Sequence, residues 1–427
     1  MEGLQVYGSF DKKNEIGFLG EAPTDPRYLI GAKPFVGATG AIGRGAIGYG
    51  TIGSFVMVYT IKARNFENPQ PPNPPTPHFI RDDEIWCRIG NVYRATVPFD
   101  RITLILHISA YYFSPSIAEQ IENWNAPVSL AVVIDDVNQQ YGCIHHEISE
   151  MLNRHNFTQL SVHFLYKKTG SGCHPPEAIA SATVMKTRNC SERRQPDLNT
   201  IAKYPMNLAR NTARMFASTK FIIMSDADLF YSQNFEPRMR QAAERELTKN
   251  PLRVLVFRIY EIDENVISLP RTKADLKELI AKGQAVTFHK YVYDSHAIEG
   301  EEQWFATKEN FDNTTISIAN IPYTRFDWEP RFVSLPSIPF HDENFPYRVG
   351  TNTVLSWEMC RAGYKFALVN DLYVFHRGMR KKGQSVAKQN FDVTIMNRKR
   401  FDHALHLFRE RMRRDHPQTE GKCPEIP

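Results

Sequence analysis

The chain has 427 residues, 42% hydrophobic and 12% aromatic, enough apolar material to bury one large core or two ordinary ones, which excludes a disordered chain. Its formal charge of +5 comes from basic residues scattered along the sequence and demands no nucleic-acid partner. Six cysteines without any CxxC spacing argue against a zinc ribbon or a thioredoxin-type site.

Residues 1–44 form a mixed tail that lacks the basic start and apolar core of a signal peptide. Gly45 to Ile61 then runs for seventeen uncharged residues between Arg44 and Lys62, the short limit for crossing a bilayer, and is the candidate single-pass membrane anchor. Its glycines make it a poor helix. Lys12, Lys13, Arg27, Lys33 and Arg44 before the run outnumber Lys62 and Arg64 after it, a bias that leaves the N-terminus cytoplasmic. Residues 62–99 read as a Pro-rich stem, in which NPQPPNPPTP, Asn68 to Pro77, is an extended spacer. Residues 100–427 read as the folded domain. Tail, apolar run, spacer and domain is the order expected of a type II membrane enzyme.

From Asp100 onward short apolar runs alternate with amphipathic stretches, the pattern of an α/β domain with a largely parallel sheet flanked by helices. Strands are expected at Ile102 to Ile108, Val128 to Ile134, Leu160 to Tyr166, Phe221 to Met224 and Val254 to Ile259. Helices are expected at Ser114 to Trp124, Met206 to Ala217, Glu236 to Leu247 and Lys273 to Lys282, the last closed by Gly283. A helix at Thr353 to Arg361, a strand at Phe366 to Phe375 and a basic helix at Arg398 to Arg413 complete the series. Gly170 to Ala202 turns polar and reads as a long surface loop.

One stretch carries chemistry. KFIIMSDADLF, Lys220 to Phe230, is a buried strand running into Asp226-Ala227-Asp228. Residues two apart on an extended backbone project from one face, so both carboxylates can reach one cation where the strand leaves the sheet. A divalent metal carrying a diphosphate would neutralise the pair and the ligand together. In open α/β sheets ligands lie outside the carboxyl ends of the strands, where this pair falls. Neither a Rossmann fingerprint nor a P-loop is present. The pair suits a nucleotide-sugar transferase of the GT-A type.

Seven segments in order resemble glycosyltransferase family 49, the family of the dystroglycan glucuronyltransferase and of the LARGE-type enzymes. They are WNAPVSLAVVI (Trp124 to Ile134), YPMNLARNTAR (Tyr204 to Arg214), SDADLF, the pair IYEIDE and LPRTKADLKELIAKG (Ile259 to Gly283), DWEPRFV (Asp327 to Val333), IPFHDENF (Ile338 to Phe345) and AGYKFALVNDLYVFHRG (Ala362 to Gly378). The resemblance implies a GT-A fold, a UDP-sugar donor, most closely UDP-glucuronate, a bound Mn2+ and a glycan or glycoprotein acceptor. It implies a Golgi enzyme with a lumenal domain. Asn207, Arg210 and Asn211, which share a helix face at i, i+3 and i+4, then lie against the nucleotide with Asp226. Arg377 and Lys381 join Arg210 as cations for the donor. His376, at a strand end like the acidic pair, becomes the third metal ligand beside Asp226 and Asp228. Glu329, Asp342, Glu343 and Glu358 are the candidate catalytic bases, and Trp304 and Trp328 are either sugar platforms or core. The chain departs from the family at Gly350-Thr351-Asn352, where an aromatic is lost on the acceptor side.

The reading is a metal-dependent inverting transfer of glucuronic acid onto a glycan of O-mannosyl type or one ending in xylose. Its alternatives are the same fold with UDP-xylose or UDP-N-acetylglucosamine as donor, or a catalytically silent glycan-binding protein.

Overall fold

A computed structural model describes residues 86–114, 116–168, 195–292, 294–380 and 385–426. The candidate anchor, the proline spacer, most of the expected 170–202 loop and Lys381 lie outside them. No helix among the described residues is long and apolar enough to cross a membrane.

The chain order is β1 Trp86–Tyr93, β2 Ile102–Ser109, α1 Ile117–Trp124, β3 Val128–Ile134, α2 Val137–His155, β4 Leu160–Lys167, α3 Leu198–Ala202, α4 Met206–Met215, β5 Phe221–Met224, β6 Leu229–Tyr231, α5 Phe235–Glu246 and β7 Arg253–Ile262. It continues with α6 Lys273–Ala281, β8 Ala285–Thr287, α7 Glu301–Ala306, β9 Ile316–Ile321, β10 Arg331–Ser334, α8 Thr351–Arg361, β11 Lys365–Arg377 and α9 Ser385–Asp415. The strands make one sheet in the order β1-β4-β3-β2-β5-β10-β7-β11-β6, with β8 on β7 and β9 on β11. Strands β2, β3, β4, β5, β7 and β11 run in one direction. The α/β class expected from the sequence is therefore what forms. The sheet is more mixed than a purely parallel one, because β10 and β6 are short returns set antiparallel against β5, β7 and β11.

Every residue of β2 and β3 is buried, which explains their mainly apolar sequences, and buried polar members such as His107 and Ser129 are hydrogen-bonded. Alternation splits each strand between two cores. Leu104, Leu106 and Ile108 face α1 and α5, through Ile121, Trp124 and Met239. Ile105, Ala131 and Val133 face α4, α8 and α9, through Ala209, Met359 and Phe408. Strand β1 lies inside the segment expected to be stem. It pairs antiparallel with β4 at the sheet edge, and only Cys87 of its eight residues is buried, so its sequence shows no alternation to read. Helix α2 escaped the sequence reading, and α9 starts at Ser385, thirteen residues before the basic stretch that announced it. A disulfide between Cys360 and Cys423 ties the C-terminal segment to the end of α8, and Cys87 and Cys143 each take part in a disulfide as well.

Candidate active site

Asp226, Ala227 and Asp228 occupy the turn between β5 and β6. Strand β6 returns antiparallel to β11 with Leu229 opposite His376. Asp228, one residue earlier, is thereby delivered to the imidazole, whose Nε2 stands 3.2 Å from its Oδ2. His376 is 6% exposed. Its Nδ1 donates to the carbonyl of Gly378 at 3.0 Å, which fixes the tautomer and leaves Nε2 facing the carboxylate. Gly378 has φ +97, a conformation that favours glycine, and it lets the chain fold this carbonyl back onto the ring. Burial pushes the His376 pKa down, but the charge and hydrogen bond of Asp228 outweigh it and the net shift is upward.

Asp226 is engaged differently. Its Oδ2 is 2.7 Å from Nη2 of Arg331, and its Oδ1 is 3.7 Å from Nη2 of Arg210. Arg331 opens β10, whose antiparallel register against β5 carries that end of the strand to the acidic turn. Sequence reasoning missed it, and the signal available was only a cation directly after Glu329-Pro330 at a strand start. Of the three expected metal ligands, the structure brings two together. Among the described residues no group of three or more His, Cys, Asp or Glu side chains is close enough to hold a metal ion. The Asp228–His376 pair, an anchored imidazole beside a carboxylate, offers a divalent ion one nitrogen and one oxygen ligand.

Helix α4 spends its polar face on the 336–343 loop. Asn207 Nδ2 donates to the Asp342 carbonyl at 2.8 Å, and Asn211 Nδ2 donates to the His341 carbonyl at 2.8 Å and to Glu343 Oε1 at 2.9 Å. Arg214 donates to the carbonyls of Pro336, Ile338 and Pro339. Arg210 alone of the expected trio turns to the acidic turn, and the two asparagines hold the loop that carries Asp342 and Glu343.

The four candidate bases separate by their partners. Glu358 gives both oxygens to Arg411, at 2.6 and 2.9 Å, and the same guanidinium reaches Asp342 Oδ2 at 3.2 Å. Asp342 Oδ1 also accepts from the backbone and side-chain nitrogens of Asn344. Glu343 lies between Asn211 and the half-exposed Arg88. Glu329 is buried with its Oε2 3.7 Å from His296 Nε2, two residues before Arg331.

Arg377 projects from the opposite face of β11 to His376, with its guanidinium over Phe230 and 3.4 Å from Glu119. Trp304 is fully buried with Nε1 donating to the Val369 carbonyl, and Trp328 is buried against Phe366. Both are buried at the core, and Trp328 also borders a cavity with Ile298, Ile318 and Arg325.

A second feature adjoins the turn. At the carboxyl ends of β2 and β3 a pocket is lined by Ser109, Tyr111, Tyr112, Asp135, Thr200, Ile201, Tyr204 and Tyr347. The buried phenol of Tyr204 is 2.8 Å from Nδ1 of His107, and burial raises its pKa far above the usual tyrosine value. The pocket went unnoticed in the sequence because its walls come from four distant segments.

A family model described as "Glycosyl-transferase for dystroglycan" matches residues 101–412. The chain belongs to this glycosyltransferase family. Among its curated relatives, Beta-1,4-glucuronyltransferase 1 of Danio rerio is 25% identical over 226 residues, covering 52% of this chain and 49% of the relative. Xylosyl- and glucuronyltransferase LARGE1 of Gallus gallus is 23% identical over 308 residues, covering 70% of this chain and 33% of the relative. The chain thus matches about half the length of the first and a third of the second. Among solved structures, the crystal structure of GalNAc-T7 with UDP, GalNAc and Mn2+ aligns at a TM-score of 0.35 and 15% identity, covering 69% of this chain and 47% of that one.

Proposed function

We propose that this family member is a metal-dependent, inverting GT-A-type glycosyltransferase that moves glucuronic acid from UDP-glucuronate to a glycan hydroxyl of O-mannosyl type or at a terminal xylose. It acts as a Golgi type II membrane protein, with residues 1–44 cytoplasmic, 45–61 as anchor, and the Pro-rich stem and folded domain lumenal. The observation that carries the reading is the Asp228–His376 pair at 3.2 Å, at the strand ends beside the β2–β3 pocket.

In this reading the nucleoside lies outside the carboxyl ends of β2 and β3, near Ser109 and Asp135, and Asp228 and His376 would hold Mn2+. When bound, the metal supplies positive charge to the diphosphate, where negative charge grows as the glycosidic bond breaks. Arg210 and Arg331 orient Asp226 in the half-buried turn. A carboxylate from Glu329, Asp342 or Glu343 takes the proton of the acceptor hydroxyl as its oxygen bonds to the anomeric carbon, and UDP leaves from the opposite face. Glu358, with both oxygens on Arg411, holds the architecture behind that loop.

The test is UDP release by the full chain offered UDP-glucuronate, UDP-glucose, UDP-xylose and UDP-N-acetylglucosamine with Mn2+. Turnover of UDP-glucuronate should exceed that of UDP-glucose by more than tenfold, about 1.4 kcal/mol, less than a charge-assisted hydrogen bond to the carboxylate contributes. Equal turnover of the two would remove the glucuronyl donor and leave the glycosyltransferase. A companion result is expected of His376→Ala, which should raise the Mn2+ concentration for half-maximal activity at least tenfold, with Mg2+ supporting the parent poorly. A variant curve that overlays the parent's would exclude His376 as a ligand.

A further inference from the structure

Just past the 341–343 loop the chain places a buried cation for which two of the three guanidinium nitrogens find no hydrogen-bond partner among the described residues. Arg348 is 6% exposed, and its Nε and Nη1 are buried without a hydrogen-bond partner. Its guanidinium lies 5.0 Å from the ring of Tyr347. The acids of the preceding loop and of α8 pair with other residues: Asp342 and Glu358 with Arg411, and Glu343 with Asn211 and Arg88. The residue also sits at φ +67, which a side chain other than glycine rarely adopts. A buried guanidinium with open donors and a strained backbone each oppose folding, and such features persist where a ligand uses them.

The location says which ligand. Tyr347 packs edge-on against Tyr204 at 5.3 Å and walls the β2–β3 pocket, and the charge of Arg348 reaches the Tyr112 phenol on the same wall. The segment is held in place from behind, because Asn397 of α9 donates to the carbonyls of Tyr347 at 3.1 Å and Ala202 at 2.9 Å. Arg348 is therefore a rigidly presented cation beside the nucleotide pocket.

We propose that Arg348 receives an oxyanion of the nucleotide-sugar donor, the uronate carboxylate or the diphosphate, and so determines donor affinity or choice. This rests on the donor reading above. The planar fork of arginine pairs with either group through two parallel hydrogen bonds.

The experiment is calorimetry of the full chain with UDP, UDP-glucose and UDP-glucuronate in Mn2+, for the parent, Arg348→Met and Arg348→Lys, with a melting curve of each protein without nucleotide. Arg348→Met should weaken binding at least tenfold while its nucleotide-free melting temperature stays at or above the parent's, and Arg348→Lys should recover part of the loss. A loss confined to UDP-glucuronate identifies the carboxylate as the partner, and a loss shared by all three identifies the diphosphate. Unchanged affinities in a variant that melts lower than the parent would mark Arg348 as structural and overturn the proposal. If Arg348→Met does not fold, Arg348→Lys decides, since full affinity for all three nucleotides there overturns the bidentate pairing. A parent that binds none of the three would overturn the donor reading, and this inference with it, whereas a parent that binds beside unaffected variants overturns this inference alone.

Discussion

Asp228→Ala should slow glycosyl transfer by on the order of a thousandfold, about 4 kcal/mol at the barrier, without lowering the melting temperature. Asp228 lies in the turn after β5, its side chain 21% exposed, and its ion pair among the described residues is with His376. Removing it takes away half of the pair proposed to hold the metal and leaves the buried His376 ring without its carboxylate, a smaller burden than a buried guanidinium because an imidazole can stand neutral. Asp226→Ala should behave otherwise. That carboxylate sits between Arg331 and Arg210, which are 7% and 4% exposed at the side chain, so its loss leaves two buried guanidinium groups without their shared counter-charge. Breaking a buried pair from one side costs about 3–5 kcal/mol, so this variant should lose stability as well as activity. Calorimetry with UDP and Mn2+, beside urea unfolding, separates the two cases. Asp228→Ala with unchanged Mn2+-dependent UDP affinity would end the assignment of this turn to the metal.

The largest effect on stability is expected at Arg411. Its guanidinium binds Glu358 through both oxygens and Asp342 through one, and the two carboxylates are each 4% exposed at the side chain. Arg411→Met would leave both acids buried without it, a loss of about 3–5 kcal/mol in urea unfolding at pH 8. The deficit should shrink toward pH 5. Burial already raises the Glu358 pKa above its ordinary value of 4.5 although Arg411 pulls it down, and without the arginine it must rise further. A carboxyl whose folded pKa exceeds its unfolded one contributes stability below the unfolded pKa and loses it as pH rises through the folded pKa, so the variant should weaken as pH is raised from 5 and then level off. A deficit that is flat with pH would mean that lost packing, not the two charges, accounts for it.

These expectations differ in what they could have been read from. The sequence alone determined the parts whose signal is local. The strands Ile102–Ser109 and Val128–Ile134 stand almost where their apolar runs put them, because both faces of a central strand are buried and most positions are therefore apolar. The acidic turn at a strand end, the histidine at the end of β11 and the seven ordered family segments were likewise visible, since each is a short contiguous pattern. Strand β1 and helix α2 were not, because an edge strand and a largely polar helix bury too little to impose a period.

Only the tertiary structure decided which of those charged residues meet. The antiparallel return of β6 sets Asp228 against His376, 148 positions away, and the return of β10 sets Arg331 against Asp226, 105 positions away. Arg411 claims Glu358 and Asp342, and Asn207 and Asn211, expected at the nucleotide, hold a loop more than 130 positions away. Spacing in a sequence shows which face of its own strand or helix a side chain occupies. The partner opposite that face is chosen by strand order and register, which are set by the packing of the whole sheet, and a carboxylate that could serve as base, metal ligand or ion pair takes its role from that partner.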